Sequence, residues 1–322
     1  MKILVTPTSF LKPENAAAKG LLEQFASEVV YNDLGRPLKG GEIIERLIGA
    51  DGYIAGLDYI TANVVEKMPA SLKVISRYGA GADRVDIGAA KKRNIIVTNT
   101  PGTNAVAVCE LAFALMLCAA RSILTLDAAV RKGEWPRNEG IELKGKTLGI
   151  IGLGAIGKNL AQRAKAFGME VVAYDPYFDE AFAAAEGIGG GKAQQDLDGL
   201  FARANFISLH VPLTDGTRHM VNAETIAKMP DRAVLINTAR GGIIDEEAAA
   251  RALKSGKLAA VCMDAFEQEP VTASPLLDAP NVIMTPHTGA HTNEAVAGMG
   301  MMAVQNVIAV LSGKPCDHIL NP

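Results

Sequence analysis

The sequence predicts an α/β protein made of two doubly wound parallel-sheet domains, and three observations carry that expectation. The chain has 322 residues, more than one hydrophobic core usually serves. Short β-like runs alternate with helical patterns in two separate series, divided by a long apolar stretch at 103–121. Strands alternating with helices imply parallel pairing, and right-handed crossovers then put helices on both faces of each sheet.

In the first series the strand candidates are KILVTP (2–7), EVVYN (28–32), GYIAG (52–56), KVIS (73–76) and IIVTN (95–99). Helix candidates at 16–26, 41–47, 61–67 and 87–92 connect them. The stretch at 103–121 contains VAVCELAFALMLCAA, which offers almost no polar face. It is expected to pack between domains or in a subunit interface. The second series runs TLGIIG (147–152), EVVAYD (170–175), NFISLH (205–210), AVLINT (233–238), LAAVCMD (258–264) and NVIMTP (281–286). A closing helix is expected over 293–311 from its apolar spacing, and GIGGGK (187–192) is expected to be a flexible loop.

Composition narrows the function classes. Apolar residues make up 49% and charged residues 21%, the balance of an ordinary globular protein. The net charge of −3 is spread along the chain and gives no electrostatic case for nucleic acid or an anionic membrane. The longest apolar run, 111–120, is about half a bilayer span, and MKILVTP reads as a strand rather than a signal peptide. Cys109, Cys118, Cys262 and Cys316 form no CxxC pair, so reduced structural thiols and a cytoplasmic protein are expected. No His, Cys and carboxylate cluster has metal-ligand spacing, and no metal is expected.

TLGIIG runs straight into GLGAIG and a helical KNLAQRAKAF, giving Gly152-x-Gly154-x-x-Gly157 between a strand and a helix. Glycines there allow a tight turn, and the N–H groups around Ala155 and Ile156 then face a pyrophosphate. Eighteen residues past Gly157, Asp175 ends the next strand. A carboxylate at that point accepts from the adenosine ribose hydroxyls and repels a 2′-phosphate, which predicts NAD rather than NADP.

Further along, three strand ends deliver reactive side chains. LINTARGGIIDEE places Arg240 after one strand, CMDAFEQEP places Asp264 and Glu269 after the next, and TPHTGA places His287 and Gly289 after the last. Ligands of a doubly wound sheet bind at the carboxyl ends of its strands, so these residues are expected to converge.

With these pieces assembled, the chain resembles the D-isomer-specific 2-hydroxyacid dehydrogenases. LKGKTLGIIGLGAIGK, ISLHVPLT, LINTARGGIIDEEA, DAFEQEP, TPHTGA, RYGAGADRVD (77–86) and RKGEWPR (131–137) carry the resemblance, which spans nearly the whole chain. It implies a flavodoxin-like substrate domain of residues 1–100 and 291–322, and a Rossmann NAD-binding domain of residues 101–290. It implies that Arg240, Glu269 and His287 are catalytic and that hydride passes between nicotinamide C4 and C2 of a 2-hydroxy or 2-keto acid. A planar guanidinium suits the adjacent carboxylate and carbonyl of such an acid, and an imidazole suits proton transfer at neutral pH. Glu269 on the far ring nitrogen would fix the tautomer and steady the charged ring.

The same resemblance makes Arg77, Tyr78, Gly79 and Ala80 a substrate loop whose backbone N–H groups surround a carboxylate. It assigns Asp264 to the nicotinamide carboxamide, although a plain turn cap is the rival reading. Thr238 and Ala239 should pass their backbones beside the cofactor. His210, with Val211 and Pro212, should line its cleft by strand position. His219, His291 and His318 are read as structural.

The phosphoglycerate dehydrogenase branch is the nearest pattern, and Arg77 would then pair with a substrate phosphate. Against this, GYIAGLDYIT puts Asp58 where a second cation is expected, and a carboxylate facing the cleft would repel phosphate. The chain ends at Pro322 without a regulatory extension, so serine control is not expected. Hydroxypyruvate, glyoxylate or a sugar-derived 2-keto acid is therefore the alternative substrate. An NADH-sensing corepressor is the alternative of another class. The resemblance further implies a homodimer through the nucleotide domains, with 103–121 and Trp135 involved, and closure about hinges near 98–101 and 286–291.

Overall fold

The computed structural model describes residues 1–322 and divides them into two compact units. One comprises Met1–Asn104 with Ala290–Pro322, the other Ala105–Gly289.

The first unit holds a five-stranded parallel sheet. Its strands are β1 (Lys2–Val5), β2 (Glu28–Tyr31), β3 (Gly52–Ala55), β4 (Val74–Arg77) and β5 (Ile96–Thr98), in the order β2-β1-β3-β4-β5. That is a flavodoxin-like order. Helices α1 (Ala16–Phe25), α2 (Gly40–Arg46), α3 (Ala62–Glu66) and α4 (Ile87–Lys92) make the crossovers. β3 and β4 are buried along their full length because helices cover both faces of a parallel sheet. Asp86 stops α4 from fraying by accepting from Ala89 N at 2.8 Å.

The closing helix, Asn293–Leu311, belongs to this unit and packs on β3, β4 and α1. It is long and apolar enough to cross a bilayer by length and composition. Its Val296, Met299, Ala303, Val304 and Val307 are instead buried against the sheet, the position of a core helix. Gly300 allows the close approach, since a Cβ there would lie 1.8 Å from Asn15 Oδ1.

The second unit begins with α5 (Ala105–Arg121) and α6 (Ile123–Arg131), which meet at a bend of 63° around Ser122. Then come β6 (Thr147–Ile151), α7 (Ala155–Ala166), β7 (Glu170–Tyr174), α8 (Glu180–Glu186), β8 (Gly189–Gly191) and α9 (Gln194–Arg203). After these follow β9 (Phe206–Leu209), α10 (Ala223–Lys228), β10 (Ala233–Asn237), α11 (Glu246–Ser255), β11 (Leu258–Met263) and β12 (Val282–Met284). All seven strands are parallel, in the order β12-β11-β10-β9-β6-β7-β8. Counted from β6 this is the Rossmann order with one strand added beyond β11, and its switch point lies between β6 and β9.

Within the apolar stretch, α5 buries Cys109, Ala112, Phe113 and Met116 and packs on α7, β10 and β11 of its own unit. It has little polar face because the sheet and α7 take most of its circumference. One expectation changes here. Within GIGGGK, Gly189–Gly191 is an edge strand paired with β7. Gly190 adopts φ +116°, and a Cβ there would lie 1.9 Å from Ala173 O. The glycines therefore serve a close backbone pairing rather than looseness.

Candidate active site

The glycine motif opens at the end of β6. Gly152 takes φ +100°, and a Cβ on it would lie 2.6 Å from His210 O at the end of neighbouring β9. A Cβ on Gly157 would lie 2.2 Å from Gly152 O, so only glycine lets α7 start this close to the turn. A Cβ on Gly154 would meet nothing within 4 Å, leaving the helix entrance open. The first N–H groups of α7, at Ala155 and Ile156, point out of that entrance by helix geometry.

Asp175 follows β7. Its Oδ2 accepts from Leu153 N at 2.7 Å and its Oδ1 from Tyr177 N at 2.8 Å. The carboxylate is thereby tied to the glycine turn, and each oxygen keeps a lone pair for another donor.

Two buried polar atoms stand without partners at the next strand ends. One is His210 Nδ1 after β9, the other Thr238 Oγ1 after β10. His210 Nε2 lies 2.9 Å from Ser208 Oγ, and burial pushes the ring's pKa down to about 4. Val211 is buried behind it and Pro212 is exposed. Glycine turn, fixed carboxylate and unpartnered atoms all lie at the carboxyl ends of strands, and as a donor and acceptor set they fit a dinucleotide.

Arg240 comes three residues after β10. Its Nη1 donates to Ala239 O at 2.7 Å, and the adjoining Gly241 packs so closely that a Cβ would lie 1.8 Å from Phe266 C. The Arg240 turn is thus pressed against the segment that carries Glu269.

His287 lies beyond β12 with φ +53°, an unusual backbone state for a side-chain-bearing residue. Its Nδ1 is 2.8 and 3.1 Å from the two oxygens of Glu269, whose Oε1 also accepts from Phe266 N at 3.2 Å. Asp264, 1% exposed after β11, holds the His287 turn. Its Oδ1 accepts from Thr285 Oγ1 at 2.6 Å and Thr288 N at 2.8 Å, and its Oδ2 from Gly289 N at 2.8 Å. Asp264 thus caps the His287 turn through three groups. Thr285, Thr288 and Asn237 support this end of the sheet and were not legible as such. Only the polar character of strand-end positions signalled them.

The loop at 77–80 lies in the other unit. Arg77 is 4% exposed, with Nη1 donating to Ala55 O at 2.7 Å and Nε to Gly81 O at 3.2 Å. Tyr78 is buried as well. Its hydroxyl donates to Val296 O at 2.8 Å and its N–H to Ala55 O at 3.0 Å, and burial raises its pKa. Gly79 N–H donates to Thr100 Oγ1 at 2.9 Å. The expectation of a continuous row of free N–H groups narrows to those of Ala80 and Gly81. Asp58 does not face outward either. It is fully buried and accepts from Thr6 Oγ1, Leu38 N, Tyr53 Oη and Gly56 N, which makes it the knot of three loops.

The remaining histidines take structural partners where partners are seen. His219 pairs with Glu267 at 2.8 Å and His318 with Asn306 at 3.0 Å.

Residues 113–289 match the family model described as D-isomer specific 2-hydroxyacid dehydrogenase, NAD binding domain. Over its whole length the chain is 42% identical to the D-3-phosphoglycerate dehydrogenase of Methanocaldococcus jannaschii, of which it spans 59%. It is 46% identical to the hydroxypyruvate reductase of Thermotoga maritima, over 78% of this chain and 81% of that one. The crystal structure of D-lactate dehydrogenase from Aquifex aeolicus, complexed with NAD and lactic acid, superposes with a TM-score of 0.85. That match is 29% identical and covers 99% of each chain. The chain belongs to the D-isomer-specific 2-hydroxyacid dehydrogenases, a family of NAD-dependent oxidoreductases that act on CH–OH donors.

Proposed function

We propose that this protein interconverts a 2-keto acid and its D-2-hydroxy acid with NAD as cofactor, using Arg240, Glu269 and His287. The observation that carries the reading is the Nδ1 contact of His287 with Glu269, 2.8 Å, beside strand ends built for a dinucleotide. A carboxylate only accepts, so Nδ1 keeps its proton and Nε2 is the nitrogen left for substrate. When bound, NADH supplies the hydride for C2. Arg240 grips the substrate carboxylate through two donors and draws negative charge towards the carbonyl oxygen. His287 gives a proton to that oxygen, and takes it back when the alcohol is oxidised. Asp175 sets the choice of NAD.

For the substrate we infer an unphosphorylated short acid such as hydroxypyruvate or glyoxylate. Arg77 supports this, because its guanidinium is buried against two backbone carbonyls rather than offered to a phosphate. The 42% identity with a D-3-phosphoglycerate dehydrogenase supports 3-phosphohydroxypyruvate as the second reading. NADH oxidation with hydroxypyruvate, glyoxylate and 3-phosphohydroxypyruvate, compared by kcat/KM, decides between them. A preference for the phosphorylated acid overturns the first reading, and no turnover with any 2-keto acid overturns the proposed activity.

Exposed Ile123, Leu124 and Val130 on α6, with the exposed Trp135 beyond it, support a homodimer through this unit. Sedimentation as a monomer at micromolar concentration would remove that proposal. Four unpaired thiols support the cytoplasm as the compartment.

A further inference from the structure

Asn237 is the last residue of β10 and is completely buried. Both ends of its side-chain amide are spent on the turn that follows. Oδ1 accepts from Ala239 N at 3.0 Å, and Nδ2 donates to Arg240 O at 2.7 Å. These two bonds fix the peptide planes on either side of the one joining Ala239 to Arg240. The carbonyl of that middle peptide, Ala239 O, is the group that receives Arg240 Nη1. One buried amide thus sets the backbone that in turn aims the guanidinium. A carboxylate of the same shape would supply only the acceptor, whereas an amide carries a donor and an acceptor on separate atoms. Asn237 O also accepts from Asp264 N at 2.9 Å, so the Arg240 turn and the residue clamping the His287 turn share one anchor.

We propose that Asn237 is a positioning residue for Arg240, acting on the reaction through the guanidinium it aims. This rests on the reading of Arg240 as the group that grips the substrate carboxylate. Side-chain bonds back to the local chain are common at turns and by themselves imply only local order. The distinguishing property of a positioning role is that its effect disappears when the positioned group is gone.

The experiment is a double-mutant cycle on kcat/KM with the best 2-keto acid, using Asn237→Ala, Arg240→Ala and the pair. Asn237→Ala is expected to lower kcat/KM by about 10- to 100-fold. In the Arg240→Ala background the same change should cost less than about twofold. NADH affinity, read by quenching of protein fluorescence, should stay within about threefold of the parent. Equal losses in both backgrounds, or a loss of NADH affinity matching the loss of kcat/KM, would overturn the proposal. If Arg240→Ala alone keeps full activity, the reading of Arg240 fails and the proposal falls with it. Should Asn237→Ala not fold, Asn237→Asp keeps the shape and the acceptor, removes the donor, and completes the same cycle.

Discussion

Glu269 holds Nδ1 of His287 with both carboxylate oxygens, at 2.8 and 3.1 Å. The pair forms although His287 adopts φ +53°, a state that costs energy unless its surroundings enforce it. Enforcement comes from the Asp264 carboxylate, which receives hydrogen bonds from residues on both sides of the histidine.

His287→Gln removes the proposed acid–base group and keeps the volume. NADH binding should persist while kcat falls about 100- to 10,000-fold. Glu269→Gln leaves the imidazole in place without its anionic partner, and a smaller loss of about 10- to 100-fold is expected. Stopped-flow and steady-state assays at neutral pH check both, and near-parental turnover in His287→Gln would refute the assignment.

Arg240→Lys keeps the charge and removes the planar fork. It should raise KM for the keto acid and lower kcat, together costing about 100-fold in kcat/KM. An equal rate would mean that charge alone suffices.

Asp264→Asn keeps one acceptor and places an amide nitrogen among groups that already donate. A buried carboxylate with this many donors is expected to contribute about 2–4 kcal/mol, seen as a lower urea midpoint. Turnover should fall further than NADH affinity, because the His287 turn is what the carboxylate restrains. Unchanged stability would show that the turn holds itself.

Asp175→Ser removes the carboxylate proposed to meet the adenosine ribose, along with its bond to Leu153 N in the glycine turn. The NADH to NADPH preference should shrink by about tenfold or more, measured as the ratio of kcat/KM values.

His210 gives a pH signature in stability. Its pKa falls from 6.5 to about 4 in the folded chain through burial, so below pH 6.5 the unfolded state binds the extra proton first. Stability should therefore drop as pH falls from 6.5 towards 4, with a slope approaching about 1.4 kcal/mol per pH unit from this group. Above pH 6.5 the contribution is constant. Urea midpoints of the parent and of His210→Gln across that range should differ in slope, and identical slopes would exclude His210 as the source.

Much of this architecture was legible beforehand, for a local reason. Parallel strands buried on both faces must be short and apolar, and the crossover helices between them must carry one apolar stripe, so alternation alone revealed two sheets. Gly152 and Gly157 were equally legible, because backbone contacts that a Cβ would enter at 2.6 and 2.2 Å leave no other residue type. Arg240, Glu269 and His287 were visible as polar residues at strand ends, where parallel sheets collect ligands.

What a side chain faces could not be read this way. Asp58 and Arg77 had charges that suggested a bearing on phosphate, yet loops distant in sequence supply the backbone and hydroxyl groups that bury both. For Asp264 it is the register of β11 and β12 that brings Thr285, Thr288 and Gly289 onto its oxygens. The glycine-rich 187–192 segment became partly a strand because β7 offered an unpaired edge. Strand and helix follow from periodicity along the chain, whereas the partner of a charge depends on which remote backbone groups the fold brings within 3 Å of it.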